Sequence, residues 1–130
     1  MQAITFNHLA LAVKDVVASI EFYQTVFGLE EIENTASNSE TRWLSLAEGK
    51  ELHLIPRTDV ELKMHKTVHF AMAIEDIEPF IAHLKRLKIN YFDWSGEANK
   101  FTVRKDGIKQ VYFQDPNEYW VEVNDAKTVG

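Results

Sequence analysis

The chain carries one pattern of hydrophobic and polar residues twice. Residues 8–15 read His-Leu-Ala-Leu-Ala-Val-Lys-Asp and residues 69–76 read His-Phe-Ala-Met-Ala-Ile-Glu-Asp, an offset of 61 positions. Four of the eight positions are identical, and three more exchange one apolar residue for another. Because 61 is close to half of the 130 residues, the repeat predicts two similar modules within one domain spanning 1–130. The modules would be 1–56 and 67–130, joined by a polar linker at 57–66.

Each module is predicted to contain a strand, a helix and then further strands. Apolar alternation and β-forming residues indicate the first strands at 4–13 and 67–74. Asp15 and Asp76 are suitable N-caps for the helices that follow, and Gly28 is well placed to end the first of them. The later strands are predicted at 29–35, 41–47, 51–56, 90–93, 101–104, 111–114 and 119–124. The predicted fold class is α+β, with two paired βαβββ modules whose mixed sheets form a cup.

Four metal-competent side chains lie on the first and last strands of the two modules. Side chains alternate between the faces of a strand, so His8 shares a face with two alanines, and His69 does the same. The small residues leave room on that face, whereas the bulkier residues between them are expected to meet the helix. On the last strands, His53 lies between two leucines and Glu122 between two valines.

A divalent metal ion in the cup is the simplest explanation of this placement. Any one of these histidines, taken alone, is more often a core or surface residue than a ligand, but an internal repeat places all four groups together. Three imidazoles and one carboxylate suit Zn, Ni, Co, Fe or Mn better than Mg or Ca. The sequence contains no cysteine, which excludes thiolate ligands, disulfides and a cysteine nucleophile.

Charge and hydropathy narrow the expected partners. The sequence has 14 Lys and Arg against 20 Asp and Glu, a formal net charge of −6, and therefore lacks the basic surface that nucleic acids and anionic membranes require. No apolar run approaches the roughly 20 residues that span a bilayer, and the first residues lack the features of a signal peptide. We expect a cytoplasmic protein with no nucleic-acid or membrane partner.

The two ends of the chain resemble the vicinal oxygen chelate superfamily, which includes glyoxalase I, extradiol dioxygenases, fosfomycin-resistance enzymes and methylmalonyl-CoA epimerase. The opening motif is Asn7-His8-Leu9-Ala10-Leu11-Ala12-Val13 with Asp15, followed by Ser19-Ile20-x-Phe22-Tyr23-x-x-Val26-Phe27-Gly28-Leu29. The closing motif is Tyr112-Phe113-x-Asp115-Pro116-Asn117-x-x-Trp120-x-Glu122. The resemblance covers essentially the whole chain. It implies metal ligands at His8, His53, His69 and Glu122, and a homodimer, which in this superfamily very often shares its sites between chains. Whether the ligands here come from one chain or two stays open.

The chain departs from several members of this superfamily at single positions. Glyoxalase I carries a glutamate where His53 stands and a glutathione-gripping basic residue where Ala12 stands. Fosfomycin-modifying enzymes carry a threonine where Ala10 stands and a serine-rich loop where residues 98–109 stand. Extradiol dioxygenases leave the His53 position open. The stretch Gly107-Ile108-x-Gln110-x-x-Phe113-x-Asp115-Pro116, together with His53 at the second ligand position, resembles small glyoxalase-like proteins.

The sequence therefore predicts a metal-dependent, glyoxalase-like lyase or isomerase that acts on a small oxygen-chelating substrate through an enediolate-type intermediate. Glu122, or a hydroxide on the metal, would act as the base. Arg57 and Arg104 are predicted to bind an anionic part of the substrate, and Trp120 to line its pocket. Two alternatives stay open, which are non-catalytic binding of a small metal-chelated ligand and an extradiol-type dioxygenase.

Overall fold

The repeat in the sequence corresponds to two structural units in the computed structural model, Met1–Leu62 and Lys63–Gly130. The boundary between them falls inside the predicted linker at 57–66. The structure describes residues 1–127, so positions 128–130 of the predicted second module lie outside the described residues. No helix within 1–127 has the length and apolar character needed to cross a membrane.

The first unit is one βαβββ module built around a mixed sheet. Its elements are β1 (His8–Val13), α1 (Val16–Phe27), β2 (Glu31–Ile32), β3 (Arg42–Ser45) and β4 (Glu51–Pro56). The strand order is β1-β4-β3-β2, with β1 parallel to β4 and the other neighbours antiparallel. The first strand starts at His8 rather than at residue 4, and β2 is much shorter than the predicted 29–35.

Helix α1 begins and ends at the residues that the sequence predicted. The Asp15 carboxylate accepts a hydrogen bond from the Ala18 amide at 3.1 Å, which satisfies one of the free N–H groups of the first turn. Gly28 has φ +66° and donates its N–H to the Gln24 carbonyl at 2.8 Å. This left-handed conformation is costly for a residue with a Cβ atom, which is why a glycine ends the helix.

The second unit repeats the arrangement. Its elements are β5 (His69–Ala73), α2 (Ile77–Arg86), β6 (Thr102–Val103), β7 (Lys109–Gln114) and β8 (Trp120–Asn124). The strand order is β5-β8-β7-β6, with β5 parallel to β8 and the other neighbours antiparallel. Asp76 caps α2, and its carboxylate accepts from the Glu78 amide at 3.1 Å.

The predicted strand at 90–93 is wrong. Phe92 forms only isolated bridges, to Ala98 and to Tyr112. Immediately afterwards the Asp93 carboxylate accepts from the Ser95 hydroxyl at 2.7 Å and from the Glu97 amide at 2.8 Å. Hydrogen bonds from an aspartate to the residues that follow it favour a turn, so the chain bends before a strand can extend.

In each unit one face of the sheet packs on the helix and the other does not. On β1, Leu11 and Val13 are buried whereas Ala10 on the opposite face is exposed. In the second unit Phe80 of α2 lies over Phe113 of β7, with the ring centroids 6.0 Å apart. The prediction of an α+β fold with two βαβββ modules is confirmed. A cup that encloses a metal site stays a prediction.

Candidate functional site

His69 and Glu122 form a close pair on the helix-free face of the second sheet. Strand register pairs Glu122 of β8 with Ala71 of β5. Ala71 lies two residues after His69, on the same face of that strand. His69 Nε2 lies 3.1 Å from Glu122 Oε1. The other ring nitrogen, Nδ1, lies 2.8 Å from the Lys66 carbonyl oxygen. A carbonyl can only accept, so Nδ1 carries the proton.

This arrangement fits a cation between His69 and Glu122. With the proton on Nδ1, a neutral ring presents the Nε2 lone pair to a carboxylate, and two acceptors at 3.1 Å repel unless a proton or a metal ion lies between them. Zinc bonds to nitrogen and oxygen are about 2.0–2.2 Å. Two ligand atoms of one ion are therefore roughly 3 Å apart, which matches the observed spacing.

The Glu122 carboxylate is buried and held by neutral donors. Its Oε2 accepts from the Asn124 amide at 2.7 Å and from the Gln110 amide at 3.0 Å. Burial works most strongly against ionisation, but the hydrogen bonds from Asn124, Gln110 and Tyr112 and the His69 charge together hold the pKa of Glu122 below its usual value. Glu122 is therefore an anion at neutral pH and ready to bind a cation.

Tyr112 connects this carboxylate to the rings around it. Burial, followed by the hydrogen bond to Glu122 and the charge of that group, raises the pKa of Tyr112, so its hydroxyl stays protonated and donates. Its ring meets His69 edge-on, with the centroids 5.6 Å apart. The charge of Arg104 acts in the opposite direction on the Tyr112 pKa, which indicates that this arginine lies within electrostatic range of the phenol.

An aromatic cage next to the pair holds the ammonium of Lys66. Its Nζ lies 4.9 Å from the Tyr112 ring centroid and 5.4 Å from those of Trp94 and Trp120. The same atom donates to the carbonyls of Asp93 and Trp94, at 2.5 and 2.8 Å. Desolvation lowers the pKa of Lys66, although the Asp93 charge partly opposes it. Trp120, predicted to line a substrate pocket, is a wall of this cage.

In the first unit, His8 and His53 belong to a stack of three rings. The His8 and His53 centroids are 4.1 Å apart with the planes at 17°, and Trp43 stacks on the other side of His53 at 4.1 Å and 5°. His8 Nδ1 lies 2.8 Å from Asn7 Oδ1, and His53 Nε2 lies 2.9 Å from Glu51 Oε1. Nearly parallel rings direct their lone pairs side by side, so binding of one ion by both requires one ring to turn.

The two arginines predicted to bind substrate are each paired with a nearby acid. Arg57 follows β4, its side chain is more than half exposed, and its Nη1 lies 3.9 Å from Asp59 Oδ2. Arg104 follows β6 and donates to Asp106 at 2.5 Å. Both ion pairs are solvent-accessible, and such pairs contribute little to stability. An anionic group of a substrate could therefore replace the acid in either pair.

The predicted ligands come together as two pairs, one in each unit. Within residues 1–127 no group of three or more histidine, cysteine, aspartate or glutamate side chains is arranged to hold a metal ion. The donor chemistry of three imidazoles and a carboxylate fits a transition metal, and the His69 and Glu122 spacing fits a shared ion.

Sequence reasoning missed the residues that support these pairs. Gln110 and Tyr112 share a face on β7, and Asn124 lies two residues after Glu122 on β8. Period-two alternation from Glu122 would have found them once the register was known. Lys66 and Trp43 carried no such signal, since the groups that they contact are distant in sequence.

The family model described as the Glyoxalase/Bleomycin resistance protein/Dioxygenase superfamily matches residues 5–123. The chain belongs to this superfamily. The resemblance inferred from the opening and closing motifs is thereby confirmed. Those motifs carry two of the four predicted metal ligands, His8 in the first and Glu122 in the last, and His69 lies in the repeat of the first motif.

Within the superfamily, the chain is similar to proteins of more than one activity. Metallothiol transferase FosB of Staphylococcus haemolyticus (strain JCSC1435) is 29% identical over 122 residues, with 91% of this chain and 81% of that protein covered. The crystal structure of the fosfomycin resistance protein FosX from Listeria monocytogenes matches with a TM-score of 0.77 and 21% identity, covering 97% of this chain and 96% of that chain. Lactoylglutathione lyase from Agrobacterium tumefaciens matches with a TM-score of 0.74 and 20% identity, covering 100% and 99%. At these identities the structural matches establish the fold alone.

Proposed function

We propose that the protein is a metal-dependent enzyme of this superfamily, a glyoxalase-like lyase or isomerase that acts on a small oxygen-chelating substrate. The observation that carries the proposal is the His69 and Glu122 pair. His69 Nε2 lies 3.1 Å from Oε1 of the buried, ionised Glu122 carboxylate. An imidazole nitrogen and a carboxylate oxygen at this spacing are suited to bind one divalent cation together.

The proposed ligand set is His8, His53, His69 and Glu122, and the proposed ion is Zn, Ni, Co, Fe or Mn. When bound, the ion would supply a Lewis acid for a substrate oxygen. His69 would bind through Nε2, because its Nδ1 proton is engaged by the Lys66 carbonyl. His53 would have to leave its contact with Glu51 or bind through Nδ1.

The protein groups around Glu122 fix what that residue can do. Gln110 and Asn124 hold Oε2, which leaves Oε1 as the oxygen that would bind the ion or accept a proton from the substrate. A carboxylate stabilised as an anion is a weak base. Oε1 would therefore accept a proton only while it is not bound to the ion. Arg104, near Tyr112, is the better placed of the two arginines to bind an anionic substrate group, and Trp120 would shield it from water.

We further propose that the protein is a homodimer in which each metal centre takes ligands from two copies. The test is to mix a His8→Ala chain with a Glu122→Gln chain, each of which should bind little metal alone. If the sites are shared, one of the two metal centres in each mixed dimer contains neither substitution, so the mixture should regain metal binding at that centre. No recovery after subunit exchange would instead place all four ligands on one chain.

Metal analysis after repletion tests the proposed centre. Wild type should retain about one equivalent of ion per chain, and His53→Ala and Glu122→Gln less than a tenth of that. His83→Ala, which removes a histidine of α2, is the matched control and should behave as wild type. Retention below a tenth of an equivalent in wild type, or unchanged retention in the two ligand variants, would refute the proposal.

A second candidate function is metal-dependent transfer of a thiol to a small substrate. It is favoured by the 29% identity to the metallothiol transferase FosB. Metallated protein should be assayed with methylglyoxal plus thiols, with fosfomycin plus thiols, and for solvent deuterium exchange into 2-oxo acids and thioesters.

Oxygen uptake with catechols on the Fe(II) form would indicate a dioxygenase. Ligand binding with no turnover in any assay would favour a binding protein.

A further inference from the structure

We propose that Lys66 is a positioning residue for His69. Its side chain is locked in the cage of Trp94, Tyr112 and Trp120, and this holds its own carbonyl oxygen on His69 Nδ1. The ring is thereby kept in the form whose Nε2 lone pair faces Glu122. The inference rests on the proposed function only in taking Nε2 as the atom that binds the ion.

The cage fixes Lys66 at both ends of the residue. At the side-chain end, three ring faces lie within 5.4 Å of Nζ and two carbonyl oxygens accept from it. Cation–π contacts and hydrogen bonds of this kind are strongest where water is excluded. At the backbone end, Lys66 belongs to a turn that is closed by the Val68 amide and the His65 carbonyl at 2.9 Å. The position of the Lys66 carbonyl is therefore set by both contacts.

The cage and the His69–Glu122 pair share one wall. The Tyr112 ring lies under the Lys66 ammonium at 4.9 Å, meets His69 at 5.6 Å and sends its hydroxyl to Glu122. Trp94 is also 6.1 Å from the His69 ring. A shift of Lys66 would thus disturb the acceptor of His69 and the ring against which His69 packs.

Without this restraint, a different form of His69 would compete. A neutral ring with its proton on Nε2 could donate to Glu122 Oε1, now 3.1 Å away, and would then have no lone pair there for a metal. Electrostatics favour that form, because an N–H group facing a carboxylate is better than a lone pair facing it. A firmly placed acceptor on Nδ1 is what opposes it.

The first module solves the same problem differently. The position that corresponds to Lys66 is Thr5, because the repeat offset is 61. There His8 Nδ1 meets the side chain of the adjacent Asn7 at 2.8 Å. A lysine therefore occupies this position only in the second module. That module also contains Glu122, the carboxylate that could stabilise the form of His69 with its proton on Nε2.

The test is the proton position on His69, measured by ¹⁵N NMR in metal-free protein at a pH where the ring is neutral. Wild type should carry the proton on Nδ1. Lys66→Met, which keeps the stem but removes the charge, should move a large fraction to Nε2 and weaken binding of Zn²⁺ by about 10 to 100-fold. Lys66→Arg should restore both, because it can still donate to carbonyls and stack on rings. Lys100→Met, at an exposed lysine paired with Glu97, is the control and should match wild type.

Retention of the Nδ1 proton in Lys66→Met, together with Zn²⁺ affinity within two-fold of wild type, would overturn the inference. If Lys66→Met does not fold, Trp94→Leu at an exposed turn position takes its place, and an unchanged proton position there has the same consequence. If wild type binds no metal, the proposed function fails, but the NMR measurement still decides the role of Lys66.

Discussion

Replacing Glu122 by glutamine removes a buried charge while keeping the shape of the side chain. The glutamine oxygen can still accept from Gln110 and Asn124, and its amide can donate to His69 Nε2. We therefore expect the metal-free variant to fold and to be close to wild type in stability at acidic pH. The two proteins should differ most at neutral pH, where wild type carries the charge.

The size of the difference follows from the hydrogen bonds of the carboxylate. Three donors, on Gln110, Asn124 and Tyr112, serve it. A hydrogen bond to a charged group contributes about 1.5–3 kcal/mol against about 0.5–1.5 for a neutral one, which is roughly 3 kcal/mol for three bonds. Burial of the charge offsets part of this, and we expect a net contribution on the order of 1–2 kcal/mol.

The lowered pKa of Glu122 determines how the stability advantage of wild type depends on pH. The stabilisation is complete above the unfolded-state pKa of about 4.3 and is lost as the pH falls through the folded-state value. Urea unfolding of metal-free protein at a series of pH values from 7 to 3 measures it. The advantage of wild type over Glu122→Gln should disappear toward pH 3, while Glu40→Gln, an exposed control, should follow wild type throughout. An identical acid slope in wild type and Glu122→Gln would refute this reasoning.

Three further substitutions test the packing that supports the site. Trp43→Phe removes a buried indole N–H that has no hydrogen-bond partner among the described residues. Removing this unpaired donor should stabilise the protein by about 1–3 kcal/mol, which should equal or exceed the packing energy lost with the smaller ring. A net destabilisation above about 1 kcal/mol in urea unfolding would contradict this. Leu54→Ala, at a side chain with 0% exposure, should cost about 2–5 kcal/mol, seen in the same assay, and should leave the Zn²⁺ affinity of the folded protein unchanged. Gly28→Ala, at φ +66°, should cost about 1–2 kcal/mol and lower the melting temperature by several degrees; an unchanged melting temperature would contradict this.

The fold was predictable because its signals are local. Period-two alternation places His8 and His69 on one face of their strands, and an aspartate before each helix supplies the cap. These patterns need no knowledge of which strands pair. The wrong prediction of a strand at 90–93 also has a local cause, because the turn at Asp93 competes with the strand. The hydrogen bonds that the Asp93 carboxylate accepts cannot be read from a pattern of apolar residues.

The surroundings of the candidate site were less predictable because they depend on strand register. Trp43 stacks on His53 only because β3 pairs with β4 so that these two residues are opposite each other. The sequence alone does not show on which face of β3 Trp43 lies. Lys66 reaches an aromatic cage drawn from a turn and two strands far along the chain, and no spacing rule connects those positions to it.

X-ray absorption at the zinc edge tests the central claim most directly, because it counts the ligands of the bound ion. In Zn²⁺-loaded wild type, we predict three imidazoles and one carboxylate, and in His53→Ala and His69→Ala a zinc-edge signal below a tenth of the wild-type intensity. A wild-type spectrum with one imidazole or none, or one that neither substitution changes, would contradict the assignment of His8, His53, His69 and Glu122 as the metal centre.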